Sequence, residues 1–248
     1  PIRMVDVLTD NIRCAGGSDG IIQPFAVGGI PPYTFAIDAN FFTSNDDFTG
    51  LAAGQHTIHI KDRNDCTLDS IIELSQPPVL NFDNVIITDA ACAGTRTGTV
   101  SLNGTGGTPP YMYATDTVNF TKDPVFSGLS ADTYHYYMQD SAGCMTDTLI
   151  TVGENAAIII GNASISSPSC YNTGDATLTI NASGGVPPLR YQLDNNPLQP
   201  GSNNLFTGLA AGPHTITVTD SNNCSQTNTT TILQPAELKL QLYANGNP

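Results

Sequence analysis

Residues 99–113, TVSLNGTGGTPPYMY, contain the pattern that determines the fold. Val100 and Leu102 alternate with a serine and an asparagine, and this period of two predicts a β-strand with one face in the core and one in solvent. The Gly-Gly and Pro-Pro pairs that follow are typical turn residues. The aromatic residues from Tyr111 onwards begin the next alternation, so the stretch predicts two strands joined by a turn.

The same stretch occurs three times in the chain at a constant spacing. The Gly-Gly pairs begin at Gly28, Gly106 and Gly184, each is followed by a Pro pair, and a Phe-x-Gly-Leu sequence follows at Phe48, Phe126 and Phe206. The third copy has a short insertion between its Pro pair and its Phe-x-Gly-Leu sequence. A fixed period of this kind is the signature of a repeat architecture. We therefore divide the chain into three modules, 1–77, 78–155 and 156–235, followed by a segment at 236–248.

Composition favours β-structure in every module. Charged residues make up only 12% of the 248 residues, and the helix-favouring Lys, Arg and Glu are scarce. The 23 Gly and 17 Pro suit many short strands joined by turns. Each module has room for about six or seven strands, the size of an immunoglobulin-like domain. The sequence predicts an all-β protein of three tandem immunoglobulin-like antiparallel β-sandwich modules, arranged as a semi-rigid rod because almost no linker separates them.

One short sequence near the end of each module predicts a hydrogen-bonded corner. Leu51-Ala-Ala-Gly-Gln-His56 is repeated as 129–134 and 209–214, ending in Tyr134 and His214. In sandwiches, a tyrosine at the start of a late strand often bonds back to the preceding corner. We expect Tyr134 to do so, and His56 and His214 to make the same bond through a ring nitrogen.

The cysteines occur as one pair per module, with nearly the same separation in each pair. They do not form Cys-x-x-Cys pairs, so the spacing of zinc and thioredoxin sites is missing. The constant separation predicts one disulfide within each module: Cys14–Cys66, Cys92–Cys144 and Cys170–Cys224. Disulfides indicate an oxidising compartment, hence an extracellular location. Since the chain starts at Pro1 without a signal peptide, we expect a mature product or a fragment.

Charge and hydropathy argue against nucleic-acid binding and against a membrane-spanning helix. The formal net charge is −14 and the isoelectric point is about 4.2, so binding of nucleic acid through a broad basic surface is not expected. The sequence has no run approaching 18 apolar residues, and we therefore expect no membrane-spanning helix.

The acidic turns offer one weak metal candidate. Asp62 and Asp65 flank a tight turn, and oxygen-rich turns can bind calcium. The equivalents of Asp65 are Gly143 and Asn223, which argues against a calcium site shared by all modules. The alternative is that Asp62 and its equivalents, Asp140 and Asp220, cap their turns through side-chain to backbone hydrogen bonds. We expect no cofactor.

Catalytic motifs are missing from the sequence. The four histidines, His56, His59, His135 and His214, fall on corresponding strands of the three modules, two of them in the first module, and are not expected to converge. The sequence contains no Gly-x-Ser-x-Gly elbow, P-loop or His-Glu-x-x-His motif. We expect no enzyme activity and no catalytic residues.

Taken together, the motifs resemble a known repeat family. The shared pattern is Cys-x-Gly, Gly-Gly-x-Pro-Pro-Tyr, Phe-x-Gly-Leu-x-Ala-Gly-x-His/Tyr, Asp-x-x-x-Cys and Gln-Pro, with Leu189 replacing the tyrosine in the third module and Gln-Pro lost in the second. This resembles the SprB-type repeat of gliding-motility adhesins and other giant surface proteins exported by type IX secretion. The resemblance implies a tandem stalk on the cell surface, acting in adhesion or filament building. Its implied partners are adjacent modules or like subunits, and surface polysaccharide.

Glycosylation is the modification that the sequence suggests. Asn103 and Asn181 begin Asn-x-Ser/Thr sequons on equivalent strands, where we expect them to face outward. The Asp-Ser/Thr-apolar triplets resemble the O-glycosylation motif of bacteria that carry such repeats. The resemblance therefore implies candidate sites at Ser70, Thr117 and Thr148.

Two other functions are compatible with the residues. The modules could bind carbohydrate, for which exposed Tyr137 and Tyr171 are candidates, although the chain has no tryptophan to serve as the usual sugar platform. Alternatively, they could be passive appendages of a secreted enzyme.

The final segment of the chain aligns with the beginning of a module. Pro1 aligns with Glu237, and Leu238, Leu240 and Leu242 alternate with polar residues. We expect 237–248 to be the first strand of a following module, or a donor strand that completes a neighbouring subunit.

Overall fold

The computed structural model describes residues 1–199 and 202–240 of the chain. These residues form 22 β-strands, and none of them lies in a helix. Accordingly, this part of the chain contains no helix that could cross a membrane. The all-β class predicted from the sequence is confirmed.

The three modules contain the same series of strands. The first has six: β1 (Arg3–Asp10), β2 (Gly20–Val27), β3 (Thr34–Ile37), β4 (Phe48–Leu51), β5 (Gly54–Lys61) and β6 (Thr67–Leu74). In the other two modules the first and second strands are each interrupted. The second has β7 (Asn81–Phe82), β8 (Ile86–Thr88), β9 (Gly98–Ser101), β10 (Gly104–Thr105), β11 (Met112–Ala114), β12 (Val125–Leu129), β13 (Asp132–Gln139) and β14 (Met145–Val152). The third has β15 (Ile159–Ile160), β16 (Ser164–Ser166), β17 (Ala176–Thr179), β18 (Ala182–Ser183), β19 (Arg190–Leu193), β20 (Leu205–Leu209), β21 (Gly212–Thr219) and β22 (Ser225–Ile232).

Each module is built from two three-stranded sheets. In the first module the strand orders are β1-β2-β4 and β3-β5-β6, with antiparallel pairing. The corresponding sheets are β8-β9-β12 and β11-β13-β14 in the second module, and β16-β17-β20 and β19-β21-β22 in the third. The interrupted strands add two small ladders, β7-β10 and β15-β18. The predicted immunoglobulin-like sandwich is confirmed.

Alternate residues of both sheets make the core of a module. In the first module Ile22 of β2 and Ile58 and Ile60 of β5 are fully buried in one cluster, which joins the two sheets face to face. Leu178 of β17 and Val218 of β21 meet in the same way in the third module. The alternation at Val100 and Leu102 is thus the core pattern, because a period of two places every second side chain between the sheets.

The chain folds into two compact units. One comprises Pro1–Ile86, Val100–Phe126 and Thr133–Thr151, and the other comprises Ile87–Thr99, Ser127–Asp132 and the described part of 152–248. Residues of the predicted second module therefore belong to both units. The module boundaries at 77/78 and 155/156 stay a prediction.

The predicted strand at the chain end falls largely outside the described residues. Residues 237–240 are in no strand, and the Leu238 and Leu240 side chains are 100% and 85% exposed. Residues 241–248 lie outside the part that the structure describes, so the role of this segment stays a prediction.

One buried tyrosine interrupts the apolar core of the second module. Tyr136 on β13 is fully buried at the position that Ile58 and Ile216 occupy in the other modules. Its Oη has no hydrogen-bond partner among the described residues, and the Phe126 ring lies 4.9 Å away, centroid to centroid. Burial raises the pKa of the Tyr136 hydroxyl above its usual value, and the charge of Tyr134 raises it further.

Removing this hydroxyl should stabilise the protein. We expect Tyr136→Phe to raise the free energy of unfolding by about 1 kcal/mol, because a buried hydroxyl without a partner costs desolvation energy that phenylalanine avoids. Tyr111→Phe is the matched control, since the Tyr111 hydroxyl donates to the Gly106 carbonyl at 2.7 Å and its loss should cost about 1 kcal/mol. Urea denaturation followed by circular dichroism measures both. A lower free energy of unfolding for Tyr136→Phe would mean that the Tyr136 hydroxyl makes a stabilising hydrogen bond, and would contradict this expectation.

Candidate functional site: the cysteine turns

A buried aspartate organises the turn that carries the second cysteine of each module. The carboxylate of Asp140 accepts hydrogen bonds from the backbone amides of Ala142 (3.0 Å), Cys144 (2.9 Å) and Thr108 (2.7 Å). Two of these amides belong to the Asp-x-x-x-Cys turn, and the third belongs to the Gly-Gly-x-Pro-Pro loop. One side chain therefore ties together two loops that are distant in sequence.

The other two modules repeat this arrangement. The equivalent bonds join Asp62 to the amides of Ile30, Asn64 and Cys66, and Asp220 to those of Val186, Asn222 and Cys224. All three aspartates are at most 5% exposed. The prediction that they cap their turns is confirmed.

The Gly-Gly pair is required by the same packing. A Cβ built on Gly106 would lie 1.9 Å from the Val79 carbonyl oxygen, and one built on Gly107 would lie 2.5 Å from an Asp140 carboxylate oxygen. Both glycines also have positive φ, of 74° and 54°. Only glycine lets the backbone pass this close to the carboxylate.

Asp62, the first residue of the calcium candidate, is engaged in the turn, and a metal at this place stays a prediction. Both carboxylate oxygens of Asp62 accept amide hydrogens, and these bonds hold the side chain in the turn. Burial raises the pKa of Asp62, but the amides of Ile30, Asn64 and Cys66 lower it more, so the pKa lies below its usual value. Asp65 faces Lys61 at 3.3 Å. Among residues 1–199 and 202–240, no group of three or more His, Cys, Asp or Glu could hold a metal ion.

The Asp65 position has a conformational role that the sequence analysis missed. Asp65, Gly143 and Asn223 all have positive φ, of 60°, 87° and 63°. Glycine, asparagine and aspartate are the residues that best tolerate this left-handed conformation. Their interchange at one position of the repeat was the signal, and it indicates a turn requirement instead of a ligand set.

The turn that carries the first cysteine is held by the end of the last strand of its own module. In each module the amide two positions after this cysteine donates to a side-chain oxygen just past that strand: Gly16 to Gln76 (2.7 Å), Gly94 to Glu154 (2.6 Å) and Asn172 to Gln234 (3.0 Å). The loss of Gln-Pro in the second module is therefore a substitution that keeps the contact, because Glu154 offers the same oxygen.

The disulfides join neighbouring modules, not the two cysteines of one module. Cys14 is bonded to Cys144, and Cys92 is bonded to Cys224, each with a Cα–Cα distance of 5.6 Å. Cys66 and Cys170 are free and exposed. The predicted pairs Cys14–Cys66, Cys92–Cys144 and Cys170–Cys224 are wrong, as is the expectation of one disulfide in each module.

Strand length is the reason why the predicted pairs cannot form. Cys66 directly precedes β6, whereas the Cys14 turn contacts Gln76, just after β6. The extended strand separates the two ends by about 26 Å. A disulfide requires Cα atoms within about 7 Å, so each bonded first cysteine pairs instead with the second-cysteine turn of the following module.

Each disulfide and the two cysteine turns that it links form a joint between neighbouring modules. The disulfide lies in a shallow cleft that both turns line. Cys14, Ala15 and Cys144 line one cleft together with Leu80, at the start of the second module. Cys92, Ala93 and Cys224 line the other together with Ile158, at the start of the third module. Asn222 reinforces this second joint, because its side-chain amide donates to the Ala91 carbonyl at 3.2 Å.

Two of the histidines form the predicted corner. The Nε2 atoms of His56 and His214 each lie 3.0 Å from a backbone carbonyl oxygen, of Ala52 and Ala210 respectively. The Nδ1 atom of His56 lies 2.9 Å from the Asp38 carboxylate, and that of His214 lies 2.8 Å from the Asp194 carboxylate. The corner role is confirmed for both histidines, while that of Tyr134 stays a prediction.

Both ring nitrogens of these histidines face acceptors, which favours the protonated ring. The carbonyl of Ala52, followed by the carboxylate of Asp38, raises the pKa of His56. For His214 burial lowers the pKa, but the carbonyl of Ala210 and the carboxylate of Asp194 outweigh burial and raise it.

The other histidines pair with strand neighbours on the surface. His59 Nδ1 lies 2.7 Å from an Asp69 oxygen, and His135 Nε2 lies 2.6 Å from an Asp147 oxygen. The Tyr137 hydroxyl is 3.1 Å from His135 Nδ1. Tyr137 is thus half-buried against a histidine, and Tyr171 is exposed in the other compact unit. The structure does not bring the two carbohydrate candidates together within one unit.

The glycosylation candidates differ in exposure. Asn103 and Asn181 are exposed as predicted, although each lies just past its strand and the Asn181 side-chain nitrogen donates to the Asn162 carbonyl at 2.9 Å. Thr117 is exposed in a turn, whereas Ser70 and Thr148 are half-buried on β6 and β14. Whether any of them is modified stays a prediction.

The free energy of unfolding should depend on pH through the corner histidines. A raised pKa means that their stabilising contribution is complete below about pH 6.5 and is lost as the pH rises through the folded-state value. We therefore expect His56→Tyr/His214→Tyr, which introduces the residue of the second module, to flatten the decline in stability between about pH 6 and pH 8. His59→Gln is the control, and urea titrations at each pH make the comparison. An unchanged decline in the double variant would contradict the role of the corner.

Substituting a bonded cysteine and substituting a free cysteine should have different effects on the free energy of unfolding. Cys14→Ser opens a loop with a sequence separation of 130, and the chain-entropy model gives a loss of about 5 kcal/mol in the free energy of unfolding. Cys66→Ser removes a free, exposed thiol and should change it by less than about 0.5 kcal/mol. Urea denaturation under non-reducing conditions measures both. Equal losses in the two variants would point to a Cys14–Cys66 bond.

Solved structures that are similar to this chain include fragments with several consecutive domains. The chain is similar to Sidekick-1 immunoglobulin domains 1–5, with 13% identity and a TM-score of 0.37 over 93% of this chain and 58% of that chain. It is similar to the N-terminal eight Ig domains of Down Syndrome Cell Adhesion Molecule, with 10% identity and a TM-score of 0.39 over 95% and 36%. It is also similar to surface layer protein SbsC, domains 1–6, with 10% identity and a TM-score of 0.30 over 95% of this chain and 40% of that chain. The chain thus spans little more than half of the Sidekick-1 fragment.

The sequence comparisons find one repeat family that is similar to this chain. No curated protein matches the chain significantly. The family model described as SprB repeat matches residues 8–40, 84–120 and 162–198, one stretch in each predicted module. Each stretch contains a first cysteine, a Gly-Gly pair and a Pro-Pro pair. Over these three stretches the chain therefore resembles the SprB repeat family.

Proposed function

We propose that this chain is a structural segment of an extracellular, adhesin-like surface protein, in which disulfides between neighbouring modules limit extension under tension. The observation that supports this most directly is the pairing of Cys14 with Cys144 and of Cys92 with Cys224. A disulfide within a module would reinforce only that module. A disulfide between modules also holds the two linked turns together when one of the modules unfolds.

An extracellular location follows from the same bonds. Disulfides persist in oxidising compartments and are rare in the cytosol. The three matches to the SprB repeat, which the resemblance links to surface proteins, support the same location. We propose adhesion or filament building as the specific role, and gliding motility as the process that it serves.

The covalent topology sets a limit to extension. In the oxidised chain the shortest covalent path between the ends runs through 1–14, 92–144 and 224–248. At about 3.5 Å per residue this path spans about 320 Å, against about 870 Å for the full chain. An array that unfolds under load would therefore stop extending early and refold with its modules still joined.

The charge of the surface constrains the partner in adhesion. With a net charge of −14, the chain repels anionic polymers. If surface polysaccharide is the ligand, we propose a neutral one. Like subunits and adjacent modules are the other proposed partners.

We propose that the chain has no catalytic role. The histidines are used in local pairs: His56 and His214 form corners, and His59 and His135 bond to carboxylates across the strands. A reproducible turnover that a substitution of His135 abolishes would contradict this.

Single-molecule force spectroscopy tests the mechanical proposal. With handles at both ends, we expect the oxidised chain to extend by no more than about 320 Å and the reduced chain to approach about 870 Å. The Cys66→Ser/Cys170→Ser variant is the control, and it should keep the short limit because neither cysteine is in a disulfide. An oxidised chain that extends as far as the reduced one would overturn the proposal.

A further inference from the structure

The two free cysteines occupy the same positions in the repeat as the bonded ones. Cys170 is the first cysteine of its module and is equivalent to Cys14 and Cys92, which are both bonded. Cys66 is the second cysteine of its module and is equivalent to Cys144 and Cys224, which are the partners of those two. The chain thus carries one unused copy of each half of the joint between modules.

Both unused halves already have the local geometry of the bonded ones. The Cys66 amide donates to Asp62 at 3.0 Å, as the amides of Cys144 and Cys224 donate to their aspartates at 2.9 Å. On the other half, the Cys170 carbonyl accepts the Thr173 amide at 3.3 Å, and Gln234 holds the turn through Asn172. Both free cysteines are exposed. Neither turn has to refold to form a disulfide.

We propose that Cys170 of one copy of this chain and Cys66 of a second copy form this same disulfide, linking the copies end to end. The bond repeats the first-to-second pairing seen twice within the chain. Two thiols lose two protons and two electrons as the Sγ–Sγ bond forms. A small-molecule disulfide such as oxidised glutathione accepts both electrons and leaves as two glutathione thiols. The inference does not depend on the mechanical role proposed above.

One side chain distinguishes this joint from the two closed ones. Ala15 and Ala93 line the clefts beside their disulfides, whereas the equivalent residue next to Cys170 is Tyr171, which is 43% exposed. The Cys170–Cys66 joint would therefore place an aromatic ring where the other joints place a half-buried methyl group. The additional apolar area strengthens association before the bond forms.

Oxidative assembly of the full chain tests the proposal. The purified chain, with its two internal disulfides formed, is incubated with a mixture of reduced and oxidised glutathione. We expect a ladder of covalent oligomers on non-reducing gels, and a peptide that joins Cys66 to Cys170 in the digest. A chain that remains monomeric, or a Cys66–Cys170 bond within one monomer, would overturn the proposal.

Mixing single variants tests the pairing rule. Cys66→Ser retains only the Cys170 thiol, and Cys170→Ser retains only the Cys66 thiol, so we expect neither to dimerise alone and the mixture to give a heterodimer and nothing larger. Homodimers that form as fast as the heterodimer would show random thiol oxidation and overturn the rule.

A variant that weakens the turn without removing a thiol separates recognition from reactivity. Gln234→Ala removes the acceptor of the Asn172 amide, and the loss of one hydrogen bond should reduce the heterodimer yield about fivefold. Labelling of Cys170 by a small thiol reagent should be unchanged. An unchanged heterodimer yield would mean that the preformed turn does not contribute.

Discussion

A carboxylate buried among three backbone amides is the interaction on which each module depends. Asp140 and its equivalents fix the Gly-Gly-x-Pro-Pro loop against the Asp-x-x-x-Cys turn. Once buried, the carboxylate needs all three donors, because a buried charge without hydrogen bonds is strongly unfavourable. The glycine pair and the left-handed residue of the turn serve this one contact. The position of the second cysteine follows from it.

The joints between modules are built from the turns at the two ends of each sandwich. The last strand places the second cysteine at one end of a sandwich and the contact for the first cysteine at the other. Each module therefore presents a different half-joint at each end, and neighbours pair through unlike halves. Glu154, which replaces glutamine at its position, shows that the contact oxygen is kept when the residue changes.

Much of this organisation could be predicted from the sequence. The constant repeat period located the modules, the alternation at Val100 and Leu102 located core strands, and the corner and capping roles of His56 and Asp62 followed from residue type and position. The disulfide partners could not be predicted in this way. Because every module carries the same two cysteines, pairing them within a module and pairing them between neighbouring modules give the same periodicity in the sequence. Tyr136 was also missed as a polar exception in the core, because tyrosine, like isoleucine, is favoured in strands.

Mapping the disulfides of the native protein tests the account most directly. The unreduced chain is digested with free thiols blocked, and the linked peptides are identified by mass spectrometry. We predict peptides that join Cys14 to Cys144 and Cys92 to Cys224, with any bond of Cys66 or Cys170 also joining a first cysteine to a second cysteine. A peptide that joins Cys14 to Cys66 would contradict it.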